Sequence, residues 1–235
     1  YAASRNFTVT IHGRGAHGAS PHFGVDPIVI AARVVLDLQT IVSREISPND
    51  IAVVTVGSIH GGTRPNIIPP SVTLEITTRG ETEKTMDVIS EALGRIVRAA
   101  CVAGRAPREP EITLVERTFA TINADEPFER VRAAHRAVFG DQVQDLPVLI
   151  TGSEDFALYG RPGPDSYPEP AIPTYFWMVG VTPPPVWDAA AGTTLLEKVA
   201  HVPSPHQPTF APDRPIGLRR GVEALVVAAL AYLAP

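Results

Sequence analysis

The first half of the chain switches between a two-residue and a three-to-four-residue apolar period in an order that leaves few folds open. Phe7 to Ile11 (FTVTI) alternates and reads as a strand. Asp26-Pro27 is a helix start, because Asp caps free amides and proline tolerates the first helical position. From there Ile28, Ala31, Ala32, Val35, Leu38 and Val42 fall on one helix face, and the helix is expected to end near Ser47-Pro48. Ile51 to Ile59 and Val72 to Thr78 are rich in β-branched residues and read as strands joined by the loop HGGTRPNIIPPS. Thr82 to Val102 reads as a second helix with Met86, Ile89, Leu93, Ile96 and Val97 as its apolar stripe, and Ile112 to Phe119 as a last strand. The order strand, helix, strand, strand, helix, strand predicts an α+β domain of the ferredoxin-like βαββαβ type. In that fold both helices lie on one face of an antiparallel four-stranded sheet.

Beyond Arg117 the chain changes character. Its 24 prolines cluster in Pro162 to Pro185 and Pro203 to Pro215. Pro127 to Phe139 reads as a helix, Thr174 to Val181 as a buried strand and Pro215 to Leu233 as a closing helix. These are too few to cover both faces of a sheet, so the second half is expected to be part of a larger α/β domain. A net charge of -5 with no basic block argues against nucleic acid as a partner. The single cysteine, Cys101, cannot form an internal disulfide, which suggests a reducing compartment. The longest strongly apolar run, Ala224 to Ala234, is about half of the ~20 residues a bilayer crossing needs, so no membrane is expected. The start, YAASRNFTVT, lacks an export signal, and a cytoplasmic location is the expectation.

The motifs are individually weak. GRGAHG matches G-x-G-x-x-G, but a dinucleotide site needs its last glycine in the first turn of a helix, and here the helix starts later. Among the seven histidines, His17 sits between small residues that let a substrate approach the ring, and His206 lies in the stiff loop VPSPHQPTFAPD. Neither His17 with His22 nor His201 with His206 has metal-site spacing. Ser153 in TGSEDF lacks the second glycine of a nucleophile elbow. Glu154, paired with Asp155, is either a substrate-facing acid or a helix cap over Phe156. In HGGTRPNIIPP, Asn66 offers both a donor and an acceptor on a loop held by prolines, and Arg79 can make a forked bond to a carboxylate.

Taken in order, these pieces say more. GRGAHGASPHFGVDPI, LQTIVSRE, VGSIHGGTRPNIIP, ITTRG, SEDF and PSPHQPTFAPD followed by a terminal helix resemble the aminoacylase and hippurate-hydrolase branch of the dinuclear zinc metallopeptidases, over nearly the whole chain. The resemblance implies a linker over 1–6, a lid and dimerisation domain over 7–116, and the C-terminal part of a catalytic α/β domain over 117–235. It implies His206 as a metal ligand and His17 as the lid histidine that steadies a tetrahedral intermediate in the partner subunit's site. It also implies Asn66, Arg79 and Glu154 as substrate contacts. Two zinc ions, with manganese or cobalt as substitutes, would serve hydrolysis of N-acyl amino acids or peptides in a homodimer. The family's other metal ligands and its general base precede the lid, and the chain starts at the lid. It is therefore expected to be inactive alone. The alternative is a non-catalytic dimerisation module or one half of a split enzyme.

Overall fold

The computed structural model describes residues 1–146, 149–160 and 172–233. They fall into two compact units. One comprises Tyr1–Ile122 with the described residues of Leu146–Ile172, and the other Asn123–Asp145 with Pro173 onward.

In the first unit the elements are β1 (Ala3–His12), a two-residue β2 (Ala16–His17), α1 (Pro27–Thr40), β3 (Ala52–His60), a two-residue β4 (Ile67–Ile68), β5 (Ser71–Gly80), α2 (Glu83–Ala103) and β6 (Glu111–Thr118). The long strands form one antiparallel sheet in the order β3-β5-β1-β6, which is the ferredoxin-like arrangement. Phe7, Val9 and Ile11 lie opposite Ile76, Leu74 and Val72. They share one core with Val34 and Leu38 of α1 and with Ile89 and Leu93 of α2. Their neighbours Thr8, Thr10, Thr73 and Glu75 alternate onto the other face, as the strand period requires.

Both helix starts follow from side-chain caps. Asp26 accepts from the Ile28 amide at 2.9 Å, with Pro27 as the first helical residue, and Thr82 accepts from the Thr85 amide at 3.1 Å. The expected stripe of α2 is buried at all five positions. That of α1 is rotated: Ile30, Ala31, Val34 and Leu38 are buried, followed by Ile41 just past its end, while Ile28 and Val42 are exposed. The segment is apolar on most sides, so periodicity alone cannot select the face that packs. Nor does α1 run regularly to Ser47; it gives way at Ile41 to one wider turn ending at Glu45. Within residues 1–6, where a linker is expected, β1 begins at Ala3 and Arg5 is buried. Arg5 reaches across to the first turns of α2. It donates to Met86 O at 3.2 Å, Ser90 Oγ at 2.9 Å, Glu83 Oε2 at 3.1 Å and Asp87 Oδ1 at 2.7 Å.

In the second unit α3 (Asp125–Phe139), α4 (Pro184–Ala189), α5 (Leu195–Val199) and α6 (Arg214–Leu233) are the α-helices among the described residues. His135 is buried, and its Nε2–H donates to Ala224 O of α6 at 2.9 Å with the Trp177 ring edge-on against it. Thr174 to Val181 is not a buried strand: it is irregular and only partly covered. Its backbone groups are satisfied by other means. The Asn123 side chain accepts from Phe176 N at 2.7 Å and donates to Phe176 O at 3.1 Å, standing in for a neighbouring strand. No helix among the described residues is long and apolar enough to cross a membrane.

Candidate functional site

The glycine-rich loop after β1 is shaped by close packing. A Cβ on Gly13 would run into the Pro27 ring and stand 2.5 Å from Val25 O. The Gly13 amide itself is committed to Pro70 O at 2.8 Å. Arg14 and Val25 then exchange two backbone bonds of 2.9 Å each. The loop is thus closed on itself before α1 begins at Pro27, and its glycines do not form the helix-tipped phosphate cradle of a dinucleotide site.

This closure sets β2 against β4, with Ala16 opposite Ile68 and His17 opposite Ile67. Gly18 N donates to Asn66 O at 2.8 Å, and a side chain at Gly18 would press on the Asn66 backbone from 3.2 Å. Two of the expected site residues, His17 and Asn66, are therefore brought together, both exposed, on a two-strand ladder. The ring of His17 is oriented locally. The Ala19 amide donates to its Nδ1 at 3.1 Å, so Nδ1 is an acceptor and the proton of the neutral ring sits on Nε2. The exposed ring thus keeps an N–H donor at Nε2 that takes no part in the ladder's own hydrogen bonds. Beside it, Gly62 takes φ +78, a left-handed value that glycine adopts without strain, and the loop encloses a cleft of about 390 Å³ lined by His60, Gly61, Thr63, Ile67 and Pro69.

Arg79, near the end of β5, is half-buried and donates from Nη1 to Ser153 Oγ at 2.6 Å. Ser153 therefore sits beside a guanidinium, and the described structure gives it no histidine base. Next to it, Glu154 Oε2 accepts from the Phe156 amide at 2.5 Å and so caps the short 3-10 turn Phe156–Gly160. Glu154 Oε1 is buried without a hydrogen-bond partner. The signal that could have linked Arg79 with Ser153 is absent from local sequence, because the two lie in distant segments.

His206 lies in the second unit, on an exposed turn closed by Gln207 N to Ser204 O at 3.2 Å. Its φ of +72 is the left-handed region at the third position of the turn, after Pro205. Histidine is among the non-glycine residues enriched in that region, and a turn with Pro205 at its second position calls for a positive φ here. Among the described residues no group of three or more His, Cys, Asp or Glu side chains could hold a metal ion. Cys101 is buried in the first unit's core, where burial pushes its thiol up, so it offers no thiolate ligand.

Residues 3–105 match the peptidase dimerisation domain of the M20 peptidases. The chain carries an M20 peptidase dimerisation domain. An N-acetyl-L-cysteine deacetylase from Bacillus subtilis is 35% identical over 167 residues, 71% of this chain and 39% of that protein. An IAA-amino acid hydrolase (ILR1-like 5) from Arabidopsis thaliana is 28% identical over 99% of this chain and 48% of its own length. The chain thus spans less than half the length of these curated relatives. Among solved structures, an aminobenzoyl-glutamate utilization protein from Klebsiella pneumoniae superposes with a TM-score of 0.53 at 27% identity, covering 66% of this chain and 39% of that one. By their names, both of these relatives release a group from an acylated or conjugated amino acid.

Proposed function

We propose that this chain is part of a divalent-metal amidohydrolase that cleaves N-acyl amino acids, with His17 as its catalytic residue and Asn66, Arg79 and Glu154 as substrate contacts. The observation that carries this reading is the His17 ring, whose Nδ1 is held by the Ala19 amide beside Asn66. A ring held this way is a donor at Nε2, which suits stabilisation of a developing oxyanion and does not suit proton abstraction. As water adds to the scissile carbonyl, its oxygen gains negative charge and the bond from Nε2–H strengthens. Asn66 can pair with the amide through its own donor and acceptor. Arg79 stands at the far end of β5 from the Asn66 loop, so it is proposed to supply positive charge for the carboxylate of a substrate contacted by the partner subunit's His17. Glu154 Oε1, buried and unpartnered, can accept from a substrate N–H.

His206 is proposed as a metal ligand, and zinc, with manganese or cobalt as alternatives, as the ion. The described residues do not by themselves fit a metal centre, since His206 has no cluster of further donors around it. No step is routed through an ion here. The remaining donors and the general base are proposed to lie in the region that the relatives carry beyond the span matched here, and a homodimer through residues 7–116 is proposed as the assembly, with 117–235 as the part belonging to a catalytic domain. The test is hydrolysis of N-benzoylglycine in the presence of zinc, by the chain alone and after addition of a segment equivalent to the region its relatives carry before the dimerisation domain. Activity only in the mixture, lost with His17→Ala, supports the reading. Turnover that His17→Ala leaves unchanged refutes His17's role.

A second reading, a dimerisation module without catalysis, is favoured by the match of residues 3–105 to a dimerisation domain. It predicts stable dimers by sedimentation and no hydrolysis in any mixture.

A further inference from the structure

The last residue of β1, His12, follows Ile11 of the core and so points to the sheet face away from α1 and α2. Its side chain is nevertheless only 8% exposed, because both ring nitrogens are engaged. Arg108 Nη2 lies 2.9 Å from Nδ1, and Nε2 lies 3.0 Å from Glu111 Oε1. A guanidinium only donates, so Nδ1 accepts and the single ring proton sits on Nε2, donated to Glu111. The two partners together describe a neutral imidazole.

The segment that Arg108 holds has little else to fix it. The end of α2 is closed by Gly104 N to Ala100 O at 2.9 Å, Arg105 N to Val102 O at 3.0 Å and Ala106 N to Cys101 O at 2.9 Å. Beyond that, Pro107 and Pro110 have no N–H, and among the described residues Arg108 and Glu109 make no backbone hydrogen bond. From Glu111 onward β6 is held by its ladder to β1, with Glu111 opposite Thr10.

We propose that His12 is a proton-operated latch for residues 107–110. A second proton, taken from solvent, has only Nδ1 to go to. It removes the acceptor of Arg108 and sets an imidazolium against a guanidinium. The bond to Glu111 becomes an ion pair and is kept, so acid frees the connection between α2 and β6 while β6 stays on the sheet. Arg108 also stands 3.8 Å from Glu111 Oε1, but both side chains are largely exposed, and a pair of that kind holds little. The other charged or titratable groups around this end of the sheet are Glu109, Arg14 beyond the end of β1, and His60 of β3, which lies across β5 on the same face. The β5 residues between them, Ser71 and Thr73, carry no charge. The latch stands apart from the amidohydrolase reading, since none of its parts takes part in hydrolysis.

The test is NMR on the full chain, titrated from about pH 8 to about pH 5, the range in which histidine changes charge. The His12 ring nitrogens, the Arg108 side-chain nitrogens and the backbone order parameters of residues 106–118 are followed together. The Nε2–H tautomer is expected at the upper end. On acidification the Arg108 signals should move with the His12 midpoint, and the Arg108 order parameter should fall from about 0.85 to below about 0.6 while Ile112 to Thr118 stay rigid. Arg108→Gln carries both a donor and an acceptor, so it should remain ordered throughout; Arg108→Ala should be mobile throughout. His60→Gln should leave the response unchanged. A ring with Nδ1–H at the upper end, a ring that stays neutral across the range, or an Arg108 order parameter that is flat through the His12 midpoint overturns the latch. So does a response that follows His60 or persists in Arg108→Gln.

Discussion

Replacing Arg5 tests how much one buried cation holds the first unit together. Its side chain is 9% exposed and makes four donor contacts to α2. Truncating one partner of a fully buried ion pair typically costs about 3–5 kcal/mol, because the other charge is stranded. Here the acceptors are not all stranded. Asp87 is 72% exposed and rehydrates, Met86 O keeps the Ser90 hydroxyl at 2.7 Å, and Glu83 Oε2 keeps Arg117 at 2.9 Å. Glu83 Oε1, buried and unpartnered, is the one group whose position worsens. The loss for Arg5→Ala is therefore placed below that range, at about 2–3 kcal/mol, made of lost charged hydrogen bonds and lost packing of the aliphatic stem. Arg5→Met, which restores the stem, should recover about half of that. Amide hydrogen exchange at Val9 and Leu74 in the central strands reads the opening free energy of this unit alone, which avoids assuming that two units unfold together. Exchange in Arg5→Ala within about 0.5 kcal/mol of the parent, a surface-substitution value, would refute this account.

Three further outcomes are expected. In the active mixture, His17→Ala should lower kcat by about a hundredfold or more with KM nearly constant, the pattern of a contact made in the transition state; steady-state kinetics on N-benzoylglycine checks it. Glu197 is pushed down to about 2, chiefly by the Thr193 and Thr194 amides that donate to it at 2.8 and 3.0 Å. Its folded value lies below the ordinary 4.5, so its contribution to the α5 start is complete above that pH and disappears as pH falls through about 2; NMR shifts of those two amides should titrate with that low midpoint. At His206, where φ is +72, His206→Gly should leave thermal stability unchanged or raise it slightly, while His206→Val lowers it and both remove metal-dependent turnover; thermal melts and the hydrolysis assay separate the two effects.

Legibility in the sequence followed how unambiguous each local pattern was. The α2 stripe could be assigned to the residue because charged side chains such as Glu91, Arg95 and Arg98 mark its other face. In α1 the run IVIAARVVL is apolar around most of the helix, so only the sheet beneath it selects Ile30 and Val34 over Ile28. Thr174 to Val181 has strand composition, but composition does not supply a neighbour, and the Asn123 amide takes that place. At the candidate site, His17 and Asn66 were legible as types suited to their chemistry, whereas the Ala19 bond that decides the ring's tautomer depends on the bend of the loop. The neighbours of Ser153 in TGSEDF supply only half of a nucleophile pattern and say nothing of what its hydroxyl meets. Its actual partner, Arg79, is brought to it only by the three-dimensional fold.

Tyr1 and Thr121 exchange backbone hydrogen bonds of 3.2 Å in both directions, and Ala2 N bonds to Ile150 O at 3.0 Å. The ribbon therefore leaves the sheet-and-helix body at the place where it came in, like a cord knotted at a single point. A host chain could carry this body in a surface bend without being stretched, and grafting residues 1 to 121 into an unrelated scaffold should require only short spacers on either side.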